Sequence, residues 1–410
     1  MVLKKTLKKG TEMMKFVKKM GILTSFLICF SSLFAFDFGG LLSNKTSFET
    51  YGKEFNFNQK NIISLWARQN FNKSGENYFS TEVFYNFNAN FDEKNYSNIV
   101  DFSLLKFAFE KNSNFGKFNF NVGRFYFSDL TDLIFTQNSD GVKVDFQNDY
   151  VKTSVYASYT GLLNSLSTEM ITSSASSFLN DENMLFVEKT SQTNSNDFYN
   201  FAEKYAICEV LFSLPNIFAN QTVSVEYLGA FKLEKEIFNR MYANLQFEGP
   251  IYQSFFYNLS TSFGFSNYKG ENSFSILSKA NLSYYLKNAS FGLNAIYASG
   301  KNGFFSNFSG ITKNVSTYSL QDFLYSGIIK TGLNATYKPI SELLLFADCD
   351  AIFDATSSNI KYYAFQYSVG ILWQLKSDFQ LGLTGCQFFD KENSNLIKKT
   401  YFCLNASLAF

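Results

Sequence analysis

Charged side chains recur in this chain at alternate positions of apolar, aromatic-rich runs. Arg68, Glu82, Lys106, Lys143, Asp145, Glu226, Lys279, Asp348 and Asp350 fall on the polar side of that pattern. Asn86, Asn88, Asp101, Lys152, Lys232, Gln246 and Glu248 fall there too. Such groups can steer ions and polar solutes by charge and hydrogen bonding. They are poorly suited to catalysis in this chain, because it contains 0 histidines. Histidine is the side chain that titrates nearest neutral pH and the commonest metal ligand. Cys208, Cys349, Cys386 and Cys403 show no CxxC spacing, so no zinc site is expected. No nucleophile and base stand together in the sequence. No metal, no cofactor and no enzymatic activity are therefore expected.

The amino end addresses the chain to a compartment. Lys15, Lys18 and Lys19 precede an apolar run from Met20 to Phe30, and Ser31, Ser32 and Ala35 follow. A basic segment, a short apolar segment and a small residue at the exit make a secretory signal peptide, expected over residues 1–36. The run is too short to cross a bilayer as a helix. Residues 1–36 hold seven lysines and Glu12; of 36 basic and 35 acidic residues, 29 and 34 then remain, a charge of about −5. That balance argues against nucleic acid as a partner.

From residue 37 onward the elements that must carry the charges are strands. In Tyr363, Phe365, Tyr367, Val369, Ile371 and Trp373, every second residue is apolar, and Gln366, Ser368, Gly370 and Gln374 alternate with them. Eighteen such segments begin near residues 46, 61, 78, 98, 116, 140, 151, 204, 221, 240, 254, 273, 289, 326, 343, 362, 379 and 399. Sixteen result if the first strand or the Leu104–Leu105 break is misread. The two longest gaps, about 161–203 and 299–325, follow strands seven and thirteen, whereas Gln147–Asp149, Lys287–Asn288, Lys338–Ser341 and Lys376–Asp378 are short and follow even strands. Long connections on one side and short turns on the other suit an up-and-down barrel with both termini on the short-turn side. Aromatic residues gather near strand ends, where two membrane interfaces would place them. A large soluble sandwich would need strands apolar on both faces or helical cover.

The last segment, Thr400 to Phe410, sets Phe402, Leu404, Ala406, Leu408 and Phe410 on one face and stops on an aromatic residue. It resembles the C-terminal assembly signal of bacterial outer-membrane β-barrel proteins. The resemblance implies that Phe402, Leu408 and Phe410 are read by the outer-membrane assembly machinery, with periplasmic chaperones as earlier partners. The fold class expected is all-β, a transmembrane antiparallel barrel over residues 37–410. A second stretch, Val122-Gly123-Arg124-Phe125-Tyr126-Phe127 through Asp140-Gly141-Val142-Lys143-Val144, resembles the strand–loop–strand of general porins. It implies an inward-folding loop at 127–139 that narrows the pore, with Asp129, Asp132, Gln137 and Asn138 as its polar residues. Strict alternation puts Arg124 beside Val122 on the lipid side. Either a bulge at Gly123 turns Arg124 into the pore, or Arg124 snorkels to the outer interface. Composition rich in Phe and Asn is similar to that of spirochaete or fusobacterial porins.

A barrel of sixteen to eighteen strands is too wide for side chains to fill, so a water-filled channel is expected. Isolated charges in a dry core would cost several kcal/mol each. The function expected is passive diffusion of small polar solutes across the bacterial outer membrane. Lipid and the solutes are then the partners, and a homotrimer is among the assemblies open to it. A surface adhesin or structural barrel is the alternative, on the length of the two long loops. A fatty-acid type channel is weaker, since residues 37–60 hold no proline for an Asn-Pro-Ala hatch. Cys386 and Cys403 come close to opposite each other on the last two strands, as a cross-strand disulfide or as two separate thiols.

Overall fold

The computed structural model describes residues 36–51, 54–92, 94–171, 198–235, 237–301, 304–313, 325–356, 360–390 and 397–410. The expected signal peptide, Phe36 apart, lies outside the described residues. So do 172–197 and 314–324, the greater part of the long-loop tips.

Period-two sequence becomes strand throughout. The first nine are β1 (Phe36–Tyr51), β2 (Glu54–Asn70), β3 (Tyr78–Asn90), β4 (Asn95–Ser113), β5 (Gly116–Ser128), β6 (Thr136–Gln147), β7 (Lys152–Tyr159), β8 (Tyr205–Leu214) and β9 (Thr222–Lys232). The rest are β10 (Phe238–Tyr252), β11 (Phe255–Tyr268), β12 (Glu271–Tyr285), β13 (Ala289–Ala298), β14 (Ile328–Ile340), β15 (Leu343–Asp354), β16 (Lys361–Gln374), β17 (Phe379–Asp390) and β18 (Ile397–Ala409). Each pairs antiparallel with its sequence neighbours, and β18 pairs with β1 from Leu41↔Ala409 to Tyr51↔Lys399. The sheet is a closed 18-stranded barrel, so every strand has a neighbour on both sides. Strand number is eighteen and not sixteen.

Connections after odd-numbered strands are termed L1 to L9 in chain order. L3 is 129–135, L4 is 160–204 and L7 is 299–327. The end of the barrel that carries them is the loop end, and the other is the turn end. Parity holds as expected: the two long connections follow β7 and β13.

Two starts differ from expectation. β1 begins at Phe36, about ten residues early, and β2 at Glu54. The doublets Gly39-Gly40 and Leu41-Leu42 break the alternation of β1 and hide it. Gly40 is a glycine for a packing reason: the Phe410 ring lies where a Cβ would project. The Gly40 N–H donates to Phe410 O at 2.8 Å, and the Phe410 N–H returns the bond to Gly40 O at 3.0 Å. Cys386 and Cys403 are not joined by a disulfide. Register sets Cys386 opposite Tyr401 and Cys403 opposite Thr384, so they are diagonal and not facing.

The faces of the sheet are inverted relative to a soluble protein. Outward residues such as Leu333, Val369, Phe402 and Leu404 are exposed, while inward Ser64, Asn86, Glu226, Asn244 and Ser262 are buried. The apolar core lies inside the ring at the loop end. Phe125, Phe127 and Tyr156 of the wall pack with Ile134 and Phe135 of L3, Met170 of L4 and Phe308 and Ile311 of L7. Burying a side chain of this size contributes roughly 1.5–3 kcal/mol. That is what draws three connections into the barrel.

Candidate functional site

The inward loop is shorter than expected. β5 runs to Ser128 and β6 starts at Thr136, so the loop proper is 129–135. Asp129 organises it. Its Oδ1 accepts from the Ile134 and Phe135 N–H groups at 2.9 and 2.8 Å, and Oδ2 from Thr131 N–H and Oγ1 at 2.8 and 2.5 Å. Burial pushes the Asp129 carboxyl up, and these hydrogen bonds oppose that shift. Asp132 sits in the left-handed region at φ 58° and accepts from Ser128 Oγ at 2.6 Å. Gln137 and Asn138 are corrections to the expected loop set, because both lie on β6. Gln137 Oε1 accepts from Thr168 Oγ1 and the Glu169 N–H, tying β6 to L4.

L3 crosses the lumen to strands far along the chain. The Leu130 N–H donates to Glu226 on β9 at 3.1 Å, Gln246 Nε2 on β10 donates to Leu130 O at 3.3 Å, and Lys279 Nζ on β12 donates to Thr131 O at 2.7 Å. Asn244 Nδ2 completes the Glu226 carboxylate at 2.5 Å. L3 also meets L7, since the Ile311 and Thr312 N–H groups donate to Ile134 O at 2.7 and 3.0 Å. L4 joins through the Ile171 N–H to Ile311 O at 2.9 Å. Arg240 of β10, fully buried, fastens both outer loops: Nη1 donates to Gly310 O at 2.6 Å and Nη2 to Ile171 O at 3.2 Å. The Tyr242 hydroxyl donates to Ser309 O.

Arg124 follows neither expected course. Gly123 has φ 116°, but both ladders of β5 continue through it without a register shift. The bulge lies on β4, at Ser103. Pairing of β4 with β5 ends at Leu105↔Arg124, and from there to the loop end the two strands part. L4 fills the gap: Asn164 Nδ2 donates to Val100 O, and the Val100 N–H donates to Phe198 O. The Arg124 guanidinium lies in this seam. Nε and Nη2 hold Asp140 at 2.9 and 2.8 Å, Nη1 holds Asp101 at 2.5 Å, and further bonds reach Phe102 O at 3.3 Å and Leu162 O at 2.8 Å. All five N–H donors of an arginine are engaged. Arg124, 6 % exposed, is a tie between β4, β6 and L4 and not a charge presented to the lumen.

The other expected pore-lining residues fall into groups. Glu226 and Lys279 hold L3. Lys143 pairs with Asp145 at 3.2 Å, and Asp350, buried, pairs with Lys330 at 3.0 Å. Glu82 accepts from Ser64 Oγ. Asp348 is half-buried on β15. At the turn end, Arg68, Glu82 and Lys106 line a cavity of about 820 Å³ with Trp66 and Tyr78. The Arg68 guanidinium lies 3.9 Å from the Tyr78 ring centroid and the Lys106 ammonium 5.6 Å from the same ring. Sequence reasoning missed Arg240 and also Glu209, a buried carboxylate on β8 that accepts from Ser154 Oγ at 3.4 Å. Alternation would have found Arg240, which shares the inward face of β10 with Tyr242, Asn244 and Gln246. Glu209 has the same signal on β8, between Ile207 and Leu211.

No protein-family model matches the chain, and no curated protein matches it in sequence. Solved structures do match in fold. The crystal structure of Pseudomonas aeruginosa OpdQ aligns with TM-score 0.61 at 13% identity, covering 92% of this chain and 99% of that one. OccK7 (OpdD) of the same organism gives 0.58 at 11%, over 92% and 99%. The outer membrane protein OprD from Pseudomonas aeruginosa gives 0.57 at 10%, over 92% and 94%. The chain, an 18-stranded barrel, therefore shares the fold of these structures along nearly its whole length.

Proposed function

We propose that this chain is a porin of the bacterial outer membrane, a water-filled channel for passive diffusion of small polar solutes. One observation carries the reading: a closed ring of eighteen strands is apolar outside and polar inside. An outward apolar band has no aqueous use on a barrel, and lipid is the medium that fits it. Inward amides and charges fit water, and the turn-end cavity lined by Arg68, Glu82 and Lys106 gives the lumen volume. L3, held across the barrel by Glu226, Gln246 and Lys279, is the element that narrows the channel, with L7 and L4 behind it. Arg68, Glu82, Lys106, Lys143, Asp145 and Asp348 are then the wall charges that permeating solutes meet.

The fold likeness to OprD and OpdQ supports the compartment and the absence of enzymatic work. Residues 1–36 serve as the export signal in this reading. Phe402, Leu408 and Phe410, on the outward face and terminus of β18, serve as the assembly signal for the insertion machinery after chaperone escort. Planar-bilayer recording of the refolded, full-length barrel tests the proposal. Discrete conductance steps that persist without an applied ligand are expected, and a folded barrel that conducts no current would end it.

A further inference from the structure

We infer that the outward face of β1, β2 and β4 is the surface on which a second copy of this chain docks within the membrane. The inference rests on the membrane reading of the barrel. Outward positions near the middle of β7 to β16 are Val, Leu, Ile, Phe, Ala, Tyr or small hydroxyl and thiol residues; among the described residues, no amide faces out there. The β1–β4 wall departs from this. Asn44 and Asn61 are register partners, and Asn44 Nδ2 donates to Asn61 Oδ1 at 2.7 Å. Thr46 Oγ1 donates to Asn44 Oδ1 at 3.1 Å, and Gln59 lies opposite Thr46. Asn98 of β4 continues the row through Phe87, and accepts from the Tyr85 hydroxyl at 2.6 Å.

Parity fixes these residues outside. Leu42, Phe48, Ile63 and Leu65 share the row and are exposed, whereas inward Ser47 and Ser64 are buried. Depth places Asn44 and Asn61 between two aromatic borders. Phe48 and Phe57, with ring centroids 4.9 Å apart, border them toward the loop end, and Phe38 of β1 borders them toward the turn end. Asn44 stands between these borders.

Polar side chains at that depth persist where a partner meets them. Within the chain their needs are only half met, since the Asn61 amide N–H groups and the whole Gln59 amide have no partner among the described residues. An amide both donates and accepts, so the patch is complementary to itself under a rotation axis, which is how copies of one chain associate. It presents no charge for a partner of opposite sign to read. Interhelical hydrogen bonds between such groups glue membrane proteins together, and the same chemistry is available between two walls of strands.

A photoreactive benzoylphenylalanine at Gln59, irradiated in intact cells, tests this, with the same residue at Leu293 on β13 as control. A product at twice the chain mass from position 59 and none from 293 is expected. Adducts with another protein or with lipopolysaccharide, or no adduct at 59, would overturn it. Introducing Asn44→Leu with Asn61→Leu should abolish the double-mass product while the barrel stays folded; an undiminished product would equally overturn it. Fractionation and conductance of the unsubstituted protein report on the porin reading separately. A conducting, membrane-embedded barrel that never cross-links to itself removes this inference alone.

Discussion

Replacing Asp129 probes whether L3 owes its shape to a single carboxylate. Asp129 accepts four hydrogen bonds from inside the loop, two on each oxygen. At roughly 1 kcal/mol net for each such bond, Asp129→Ala loosens the turn by about 4 kcal/mol. Asp129→Asn keeps the oxygen facing Ile134 and Phe135 but turns an NH2 toward Thr131, so it forfeits about half of that. The ladders of all eighteen strands are untouched, so both variants should fold and keep the heat-dependent gel shift of a barrel. The outer contacts of L3 to Glu226, Gln246 and Lys279 remain, which leaves the loop tethered but unshaped. Single-channel recording should then show open-state noise and conductance rising in the order wild type, Asn, Ala. The reasoning fails if the folded Ala variant conducts with wild-type amplitude and noise. It fails also if the Asn variant is disturbed more than Ala.

Two further outcomes are expected. Arg124→Met strands the Asp101 and Asp140 carboxylates in the seam, a loss of roughly 3–5 kcal/mol, and Arg124→Lys recovers only part of it; both should lower the temperature of gel-shift conversion, in that order, and equal values for Met and wild type would refute the tie. Arg68→Glu with Lys106→Glu reverses two wall charges beside Tyr78 and leaves the contacts of L3, L4 and L7 untouched, so the reversal potential in a salt gradient should move toward cation preference; an unmoved potential would show that permeating ions do not pass that wall.

Most of the wall was legible because strand periodicity is a local code. One apolar residue in every two fixes the face of Phe365 or Val369 without any knowledge of neighbours, and an even number of strands lets β1 and β18 pair antiparallel. β1 is partly hidden because Gly40 answers to the Phe410 ring from the other end of the chain, information that alternation does not carry. Gln137 and Asn138 read as loop in the sequence because polar residues near a turn look alike whether the strand has begun or not. Arg124 is the sharper failure. Both expected placements assumed a continuous wall at Gly123, and the wall opens there because L4, some forty residues later, supplies the missing partners of Val100.

Alternation finds which charges point inward, but it does not say what those charges meet, and this changes the electrostatic reading of the lumen. Counting both signs along the inward faces predicts a nearly balanced wall with modest selectivity at most. The contacts redistribute that balance. Glu226 and Lys279 are engaged by L3, Asp101 and Asp140 neutralise Arg124, and Arg240 is shut behind L4 and L7. Lys143 faces Asp145 and Lys330 faces Asp350. Arg68 and Lys106, by contrast, lie against the Tyr78 ring, which attracts a cation without cancelling its charge. An aromatic face holds both side chains at the cavity wall, and Arg68 is further fixed by Asn70 Oδ1 at 3.0 Å and Gly75 O at 2.9 Å. The turn end of the lumen thus presents both signs in one cavity, with Arg68 and Lys106 braced on one tyrosine and the Asp37 and Glu82 carboxylates on the same wall.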